Sequence, residues 1–190
     1  VTTSQVVALT SAQVGQLTTA QLAQLSSSQL QAIETGDLKG LTSAQVAALS
    51  STQVGQLTTT QFSLLSSAQI RAIETADIVG VSTSQVAALT SAQVGQLTTT
   101  QFSLLSGSQL SAIETADIAG VTTSQIAAVT SSQIDDLTAA QIAAMSSSQI
   151  GQLSTTNVSL LSSAQLRAIE TADVAGLTTS QMVALTSAQV

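Results

Sequence analysis

Residues 42–57 read TSAQVAAL followed by SSTQVGQL, two eight-residue units of nearly the same sequence. On both sides of them the octad continues without insertion or deletion from residue 2 to residue 185, which makes 23 complete units. When the positions of each octad are numbered from 1 to 8, positions 5 and 8 are apolar in every complete unit. Position 4 is Gln in 18 units, Asp in four and Asn in one. Such regularity predicts a stack of similar structural units.

An eight-residue period fits neither a continuous helix nor a plain strand. A helix advances about 100° per residue, so eight residues overshoot two turns by about 80° and the apolar positions drift around its axis. In a strand, positions 5 and 8 would point to opposite faces because they lie three residues apart. The chain is therefore expected to turn once within every octad.

The polar residues indicate where each unit begins. Position 1 is Ser or Thr in 19 complete units, and the Gln that follows at position 4 completes a capping box. With position 1 as the N-cap, the preceding position 8 and the following position 5 can form a hydrophobic staple, as Leu49 and Val54 do in the pattern. Each octad is thus predicted to contain one capped helix of about six residues, roughly 9 Å long.

A helix this short is unstable alone, so the units must share a core. We predict an all-α solenoid of short capped helices, one per octad, with positions 5 and 8 inside and Ser, Thr, Gln and Ala outside. A β-solenoid is the alternative, because Thr, Val and Ile favour strands and short periods occur in β-helices. Residues 1–190 form a single array, and because both ends fall inside an octad we expect it to be part of a longer one.

A second pattern lies over the octads. Four units of the form ETxD begin at residues 34, 74, 114 and 170, so that the first three are separated by five octads each and the last by seven. Glu is a weak N-cap, so the helix that starts after Ser66 is expected to continue through Ile73 to Val79 and to end at Gly80 as a C-cap.

The ETxD units are the candidates for metal binding, because oxygen ligands suit Ca²⁺. Two carboxylates per unit are too few for a closed calcium site, and Asp also suits the first turn of a helix. We therefore expect no cofactor and a fold that does not depend on calcium. The candidate calcium ligands are Glu34, Asp37, Glu74, Asp77, Glu114, Asp117, Glu170 and Asp173.

Three units contain a further apolar residue at position 7. These residues are Leu64, Leu104 and Leu160. Because positions 5 and 8 already supply the core, the extra leucines either thicken it around Phe62 and Phe102 or face outward. In the second case they predict a surface for lateral self-association between copies of the chain.

The composition excludes most kinds of chemistry. The chain has no His and no Cys, so it lacks an imidazole base, a thiolate and the ligands of a typical zinc site. Three basic residues against ten acidic ones, a net charge of −7, argue against nucleic acid as a partner. The apolar runs are far shorter than the roughly 20 residues of a membrane helix. We expect neither an enzyme nor membrane insertion.

The runs LTSAQVAAL, LTTTQFSLL and AIETADI, at residues 41–49, 57–65 and 72–78, carry a resemblance. They resemble the Thr/Gln-rich repeats of very large bacterial cell-surface and secreted proteins that are described as adhesin-like or haemagglutinin-like. The resemblance implies an extracellular location and a structural or adhesive role, and it supplies no catalytic residue.

The leading functional hypothesis is a structural repeat that builds an extracellular filament, sheath or stalk by stacking and self-association. The chain carries few charges to keep copies apart, and uncovered positions 5 and 8 at its ends would favour end-to-end stacking. The alternative is the arm of a bacterial adhesin that binds a surface or another cell, although aromatic and charged anchors are scarce. Ice binding is a minor alternative, suggested by the regular Thr residues beside Ala.

Overall fold

The computed structural model describes residues 2–187 and Gln189. Within them every regular element is a helix, so the all-α solenoid of short helices is confirmed and the β-solenoid is wrong. The chain divides into two compact units, Val1–Gln96 and Leu97–Val190. Each is described below by itself.

One short helix occupies each octad in both units. In the first unit α-helices span Thr3–Val7, Ser11–Gln16, Thr19–Ala23, Ser27–Gln31, Ser43–Ala47, Ser51–Gln56, Thr59–Ser63, Ser67–Ala72, Thr83–Ala87 and Ser91–Val94, and 3-10 helices span Leu38–Gly40 and Thr75–Gly80. In the second unit α-helices span Thr99–Ser103, Gly107–Ser111, Thr123–Ala127, Ser131–Ile134, Ala139–Ala143, Ser147–Ile150, Thr155–Leu160, Ser163–Ala168, Thr171–Val174 and Thr179–Val183, and a 3-10 helix spans Thr115–Gly120.

The helices begin where the capping boxes predict. At Thr42 the backbone is extended, with φ −79° and ψ 157°, and its Oγ1 accepts a hydrogen bond of 3.2 Å from the Gln45 N–H. In return the Thr42 N–H donates to Gln45 Oε1 at 2.7 Å. This reciprocal pair satisfies two backbone donors that the first turn of a helix would otherwise leave unpaired. The same pair recurs at most of the other Ser or Thr N-caps that have Gln three residues later, as at Thr58 and Ser82.

Positions 5 and 8 form the core, as predicted. From Leu38 to Leu161 all of these side chains are buried, and the largest are Phe62 and Phe102. Each helix ends before position 8 because that residue needs an extended backbone to point inward, as Leu57 does with φ −55° and ψ 136°. The staple partners Leu49 and Val54 are 2% and 1% exposed.

The number of helices per coil, which the octads alone leave open, follows from which helices pack together. In the first unit the helix Ser43–Ala47 packs against Ser67–Ala72, and in the second Ala139–Ala143 packs against Ser163–Ala168. These partners are three octads apart, and side-chain bonds between coils reach 28 to 31 residues back, into the fourth octad. One coil therefore takes between three and four octads, so the five-octad spacing of the first ETxD units is not one coil.

The expected long helix across the ETxD boundary is wrong. The α-helix ends at Ala72, Ile73 is extended with φ −58° and ψ 122°, and a separate 3-10 helix runs over Thr75–Gly80. Ile73 occupies position 8 and is buried, and a helical conformation there would carry it out of the core. Glu74 makes no side-chain cap bond, so the helix after it begins without a capping box.

Candidate functional site

The most regular polar feature of the chain is the contact between successive coils, and Gln45 illustrates it. Its Oε1 is the acceptor of the capping box with Thr42, and its Nε2 donates to the carbonyl oxygens of Val14 at 2.8 Å and Leu17 at 2.7 Å. Val14 and Leu17 are positions 5 and 8 of an octad in the preceding coil. One amide group thus caps its own helix and binds two carbonyls near the end of a helix in the preceding coil.

We call this series of contacts the glutamine ladder. Its side chains are mostly buried, and among the described residues every buried side-chain nitrogen and oxygen has a hydrogen-bond partner. The expectation that position 4 lies on the outer surface is therefore wrong beyond the first coil. Cross-coil bonds of the ladder are made by Gln45, Gln53, Gln61, Gln69, Gln85 and Gln93 in the first unit and by Gln125, Gln133, Gln141, Gln149, Gln165, Gln181 and Gln189 in the second.

Asn157 shows why the ladder needs Gln. Its Nδ2 donates to the Val129 carbonyl at 2.8 Å, and its N–H donates to Ser154 Oγ at 3.0 Å. A second cross-coil bond and the return bond to the N-cap are both absent at this residue within the described part of the chain. Because Asn is one methylene shorter than Gln, its amide does not reach both the helix start and two carbonyls. Sequence reasoning recognised the capping half of the Gln function and missed the cross-coil half.

Glycines mark a second close contact between coils. A Cβ on Gly80 would lie 2.6 Å from the carbonyl carbon of Ser51 and 2.9 Å from its Cα, so no larger residue fits without moving backbone. Gly55 faces the same place, since its Cβ would lie 3.3 Å from the Gly80 carbonyl carbon. No described glycine has a positive φ, so the expected C-cap role of Gly80 is wrong and close approach is the reason for it.

The sequence contains a signal for this contact that the octad pattern does not reveal. A glycine at position 6 of one octad is matched by a glycine at position 7 of the octad three places later in the chain. This three-octad offset is kept even where the interval between ETxD octads is longer. The pairs that lie within one compact unit are Gly15 and Gly40, Gly55 and Gly80, and Gly151 and Gly176. A constant offset between paired glycines points to helices three octads apart.

The ETxD carboxylates do not converge in the described residues. The four glutamates are exposed, the four aspartates are half-buried, and no group of three or more His, Cys, Asp or Glu residues lies close enough to hold a metal ion. Asp173 Oδ1 accepts a hydrogen bond from Ser147 Oγ at 2.7 Å, a contact between coils. In the described part of the chain the candidate calcium ligands therefore stay in separate pairs, each with an exposed glutamate and a half-buried aspartate.

The three position-7 leucines lie on the outside. Leu64 is 53% exposed, Leu104 44% and Leu160 41%, whereas the phenylalanines two residues before the first two of them are buried. They do not thicken the core. Exposed leucines that recur at one octad position are the apolar feature most suited to contact another molecule.

Comparison with known families supports the repeat type. A family model for the ALTTAQ repeat matches residues 30–67, 70–107, 110–147 and 166–190, and each match begins shortly before an ETxD unit. No curated protein matches the chain. None of the described helices is long and apolar enough to cross a membrane. Because the four matches cover well over half of its residues, the chain belongs to the ALTTAQ repeat family.

Proposed function

We propose that this chain is a structural segment that carries out no chemistry and works by linking coil to coil and copy to copy. The observation that carries the proposal is the glutamine ladder, in which buried amides such as Gln45 and Gln85 donate to two carbonyls of the preceding coil. The principal polar groups of the octad are used to join neighbouring coils. A repeat whose stability comes from neighbours suits an extended load-carrying element.

The lateral part of the proposal rests on Leu64, Leu104 and Leu160. Their side chains are exposed, and the chain carries few charges, with 10 acidic and three basic residues in 190. Apolar side chains gain free energy when contact removes them from water, and little charge opposes the approach of copies. We propose that solenoids pack side by side through these leucines.

The test of lateral packing is the triple variant Leu64→Lys, Leu104→Lys and Leu160→Lys, compared with Val79→Lys as a control. Val79 is 72% exposed and lies at position 6, so the control adds a lysine to the surface without touching the leucines. We expect light scattering and electron microscopy to show bundles in the unmodified chain and the control, and none in the triple variant with its helical circular dichroism retained. Bundles that persist in the triple variant would overturn lateral packing through the leucines.

We further propose an extracellular filament, sheath or stalk as the setting, on the strength of the resemblance to bacterial surface repeats. Immunogold labelling of cells that produce the chain should decorate fibres or appendages outside the envelope. Label confined to the cell interior would refute this setting. Label on isolated thin arms instead of bundled fibres would favour the arm of an adhesin.

A further inference from the structure

The ETxD octads interrupt the glutamine ladder. Elsewhere the amide at position 4 donates to carbonyls of residues 31 and 28 positions earlier, as Gln85 does with Val54 and Leu57. The residues in this register are Val46 and Leu49 for Asp77, and Ile142 and Met145 for Asp173. An ionised carboxylate has no donor, so neither aspartate can bind these carbonyls. Among the described residues no side chain donates to the carbonyls of Leu49 and Met145, although each residue is only 2% exposed.

The same octads also lack the bonds that cap the other helices. Glu74 and Glu170 stand where most octads have Ser or Thr, and neither makes a side-chain cap bond. In the octad that follows Glu74, by contrast, the Ser82 N–H donates to Gln85 Oε1 at 2.7 Å, and Ser82 Oγ accepts from the Gln85 N–H at 3.2 Å. An ETxD octad is therefore held at its own helix start and to the preceding coil by fewer hydrogen bonds than its neighbours.

Close packing holds these octads in place. In residues 74–81 the side chains of Ile78 and Val81 are 1% and 6% exposed, and Gly80 lies against the backbone of Ser51. Such contacts act over a short range, because a gap of about 0.5–1 Å already loses about a quarter to a half of the dispersion energy. The contact at Gly80 admits no larger residue, which favours return to the same register. A contact of this kind separates over a small displacement and re-forms with the same partners.

We propose that the ETxD octads are the points at which the solenoid opens first under load, an inference that rests on the load-carrying role proposed above. Local opening has the lowest free energy where hydrogen bonds and buried contacts are fewest. The first three ETxD octads are five octads apart, so four octads with Gln at position 4 lie between each two of them. Opening at such separated points lets the chain lengthen in steps while the octads between them stay folded.

Amide hydrogen exchange tests where the chain opens. The leucine-to-lysine triple variant serves as the parent, so that lateral bundling does not protect amides. One variant adds Glu74→Ser and Asp77→Gln, which supply the N-cap hydroxyl, its acceptor and a cross-coil amide. A converse variant adds Ser82→Glu and Gln85→Asp, which give the neighbouring octad the ETxD pattern. Glu74→Ala with Asp77→Ala is the matched control, because it removes the same charges and supplies none of those bonds.

Mass spectrometry measures the exchange in peptides over residues 74–81 and 82–89. In the parent and the control we expect the amides of 74–81 to exchange at least about tenfold faster than those of 82–89, since one lost hydrogen bond changes an opening equilibrium by up to roughly that factor. The Ser and Gln substitutions should remove the difference, and the converse variant should speed exchange in 82–89 by a similar factor. Equal exchange of the two peptides in the parent, or a Ser and Gln variant that exchanges as fast as the control, would overturn the proposal.

Optical tweezers test the same octads under load. A variant that carries the Ser and Gln substitutions in all four ETxD octads should begin to lengthen at a higher force than the parent. Equal forces would overturn first opening at the ETxD octads. Both experiments are independent of lateral packing, because the parent lacks the exposed leucines and bundling is measured in the chain that retains them.

Discussion

Replacing Gln85 by Glu separates the two functions of a ladder residue. Gln85 is 1% exposed, its Oε1 accepts from the Ser82 N–H at 2.7 Å, and its Nε2 donates to the carbonyls of Val54 and Leu57, both at 2.8 Å. Glu is equally suited to a capping box, so the bond to Ser82 survives. Both cross-coil bonds are lost, and a carboxylate faces two carbonyl oxygens in a buried site.

The expected loss of stability follows from these contacts. Two hydrogen bonds at about 0.5–1.5 kcal/mol each account for about 1–3 kcal/mol of the free energy of unfolding. An unpaired buried charge raises the cost to about 3–5 kcal/mol at pH 7. Gln85→Met has a similar length and no charge; it should lose the two cross-coil bonds and the capping bond to Ser82 without burying a charge, and should fall below that figure.

The pH dependence isolates the charge. Burial raises the pKa of the introduced carboxyl above the value of about 4.3 that it has in the unfolded chain. Below that value the group is protonated in both states, so the charge costs nothing. As pH rises, the unfolded state loses its proton first, and stability falls by about 1.36 kcal/mol per pH unit until the folded pKa is passed. Gln85→Met should show no such slope relative to the unmodified chain.

Urea titrations followed by far-UV circular dichroism at several pH values measure these differences. Gln13→Glu makes the same substitution at an exposed residue of the same octad position, whose Nε2 makes no cross-coil bond within the described residues, and should cost less than about 0.5 kcal/mol. Gln152→Glu, at an exposed position 7, controls for the added negative charge. A loss at Gln85 no larger than at Gln13, or one that does not vary with pH, would refute the assigned function of the ladder.

Three further predictions concern the backbone contact, the core and metal. Gly80→Ala should lower the free energy of unfolding by about 1–3 kcal/mol because the added Cβ meets the Ser51 backbone. Gly36→Ala, whose Cβ would have nothing within 4 Å, should stay within about 1 kcal/mol of the unmodified chain. Equal effects in urea titrations would contradict the close approach of Gly80 to Ser51. Val94→Asp, at a fully buried position, should lower the free energy of unfolding by about 4 kcal/mol or more. Val79→Asp, at a side chain that is 72% exposed, should be nearly neutral. Similar urea midpoints for the two variants would place position 5 outside the core. Adding a calcium chelator should leave the melting temperature unchanged, and a large drop would show that ETxD units align into calcium sites that stabilise the fold.

Local structure was predictable from the sequence because its causes lie within one octad. The hydroxyl of Thr42 and the amide of Gln45 are three residues apart, so their capping box needs no knowledge of the rest of the fold. The apolar residues at positions 5 and 8 likewise follow from their places relative to that cap. These features determine an all-α array with one short helix per unit. The exposed leucines fit the same scheme, since only positions 5 and 8 turn inward.

The contacts between coils were decided by tertiary structure, because their partners lie three or more octads apart along the chain. How many octads close one coil depends on the angles between successive helices, which helix propensity and capping do not encode. That number determines that Gln45 Nε2 meets Val14 and Leu17, and that Gly80 lies against Ser51. The shared core also explains why the helix ends before Ile73, because burial of this position-8 side chain outweighs the helical preference of the residues around it. A local pattern specifies the unit, and the packing of units specifies what each amide and glycine contacts.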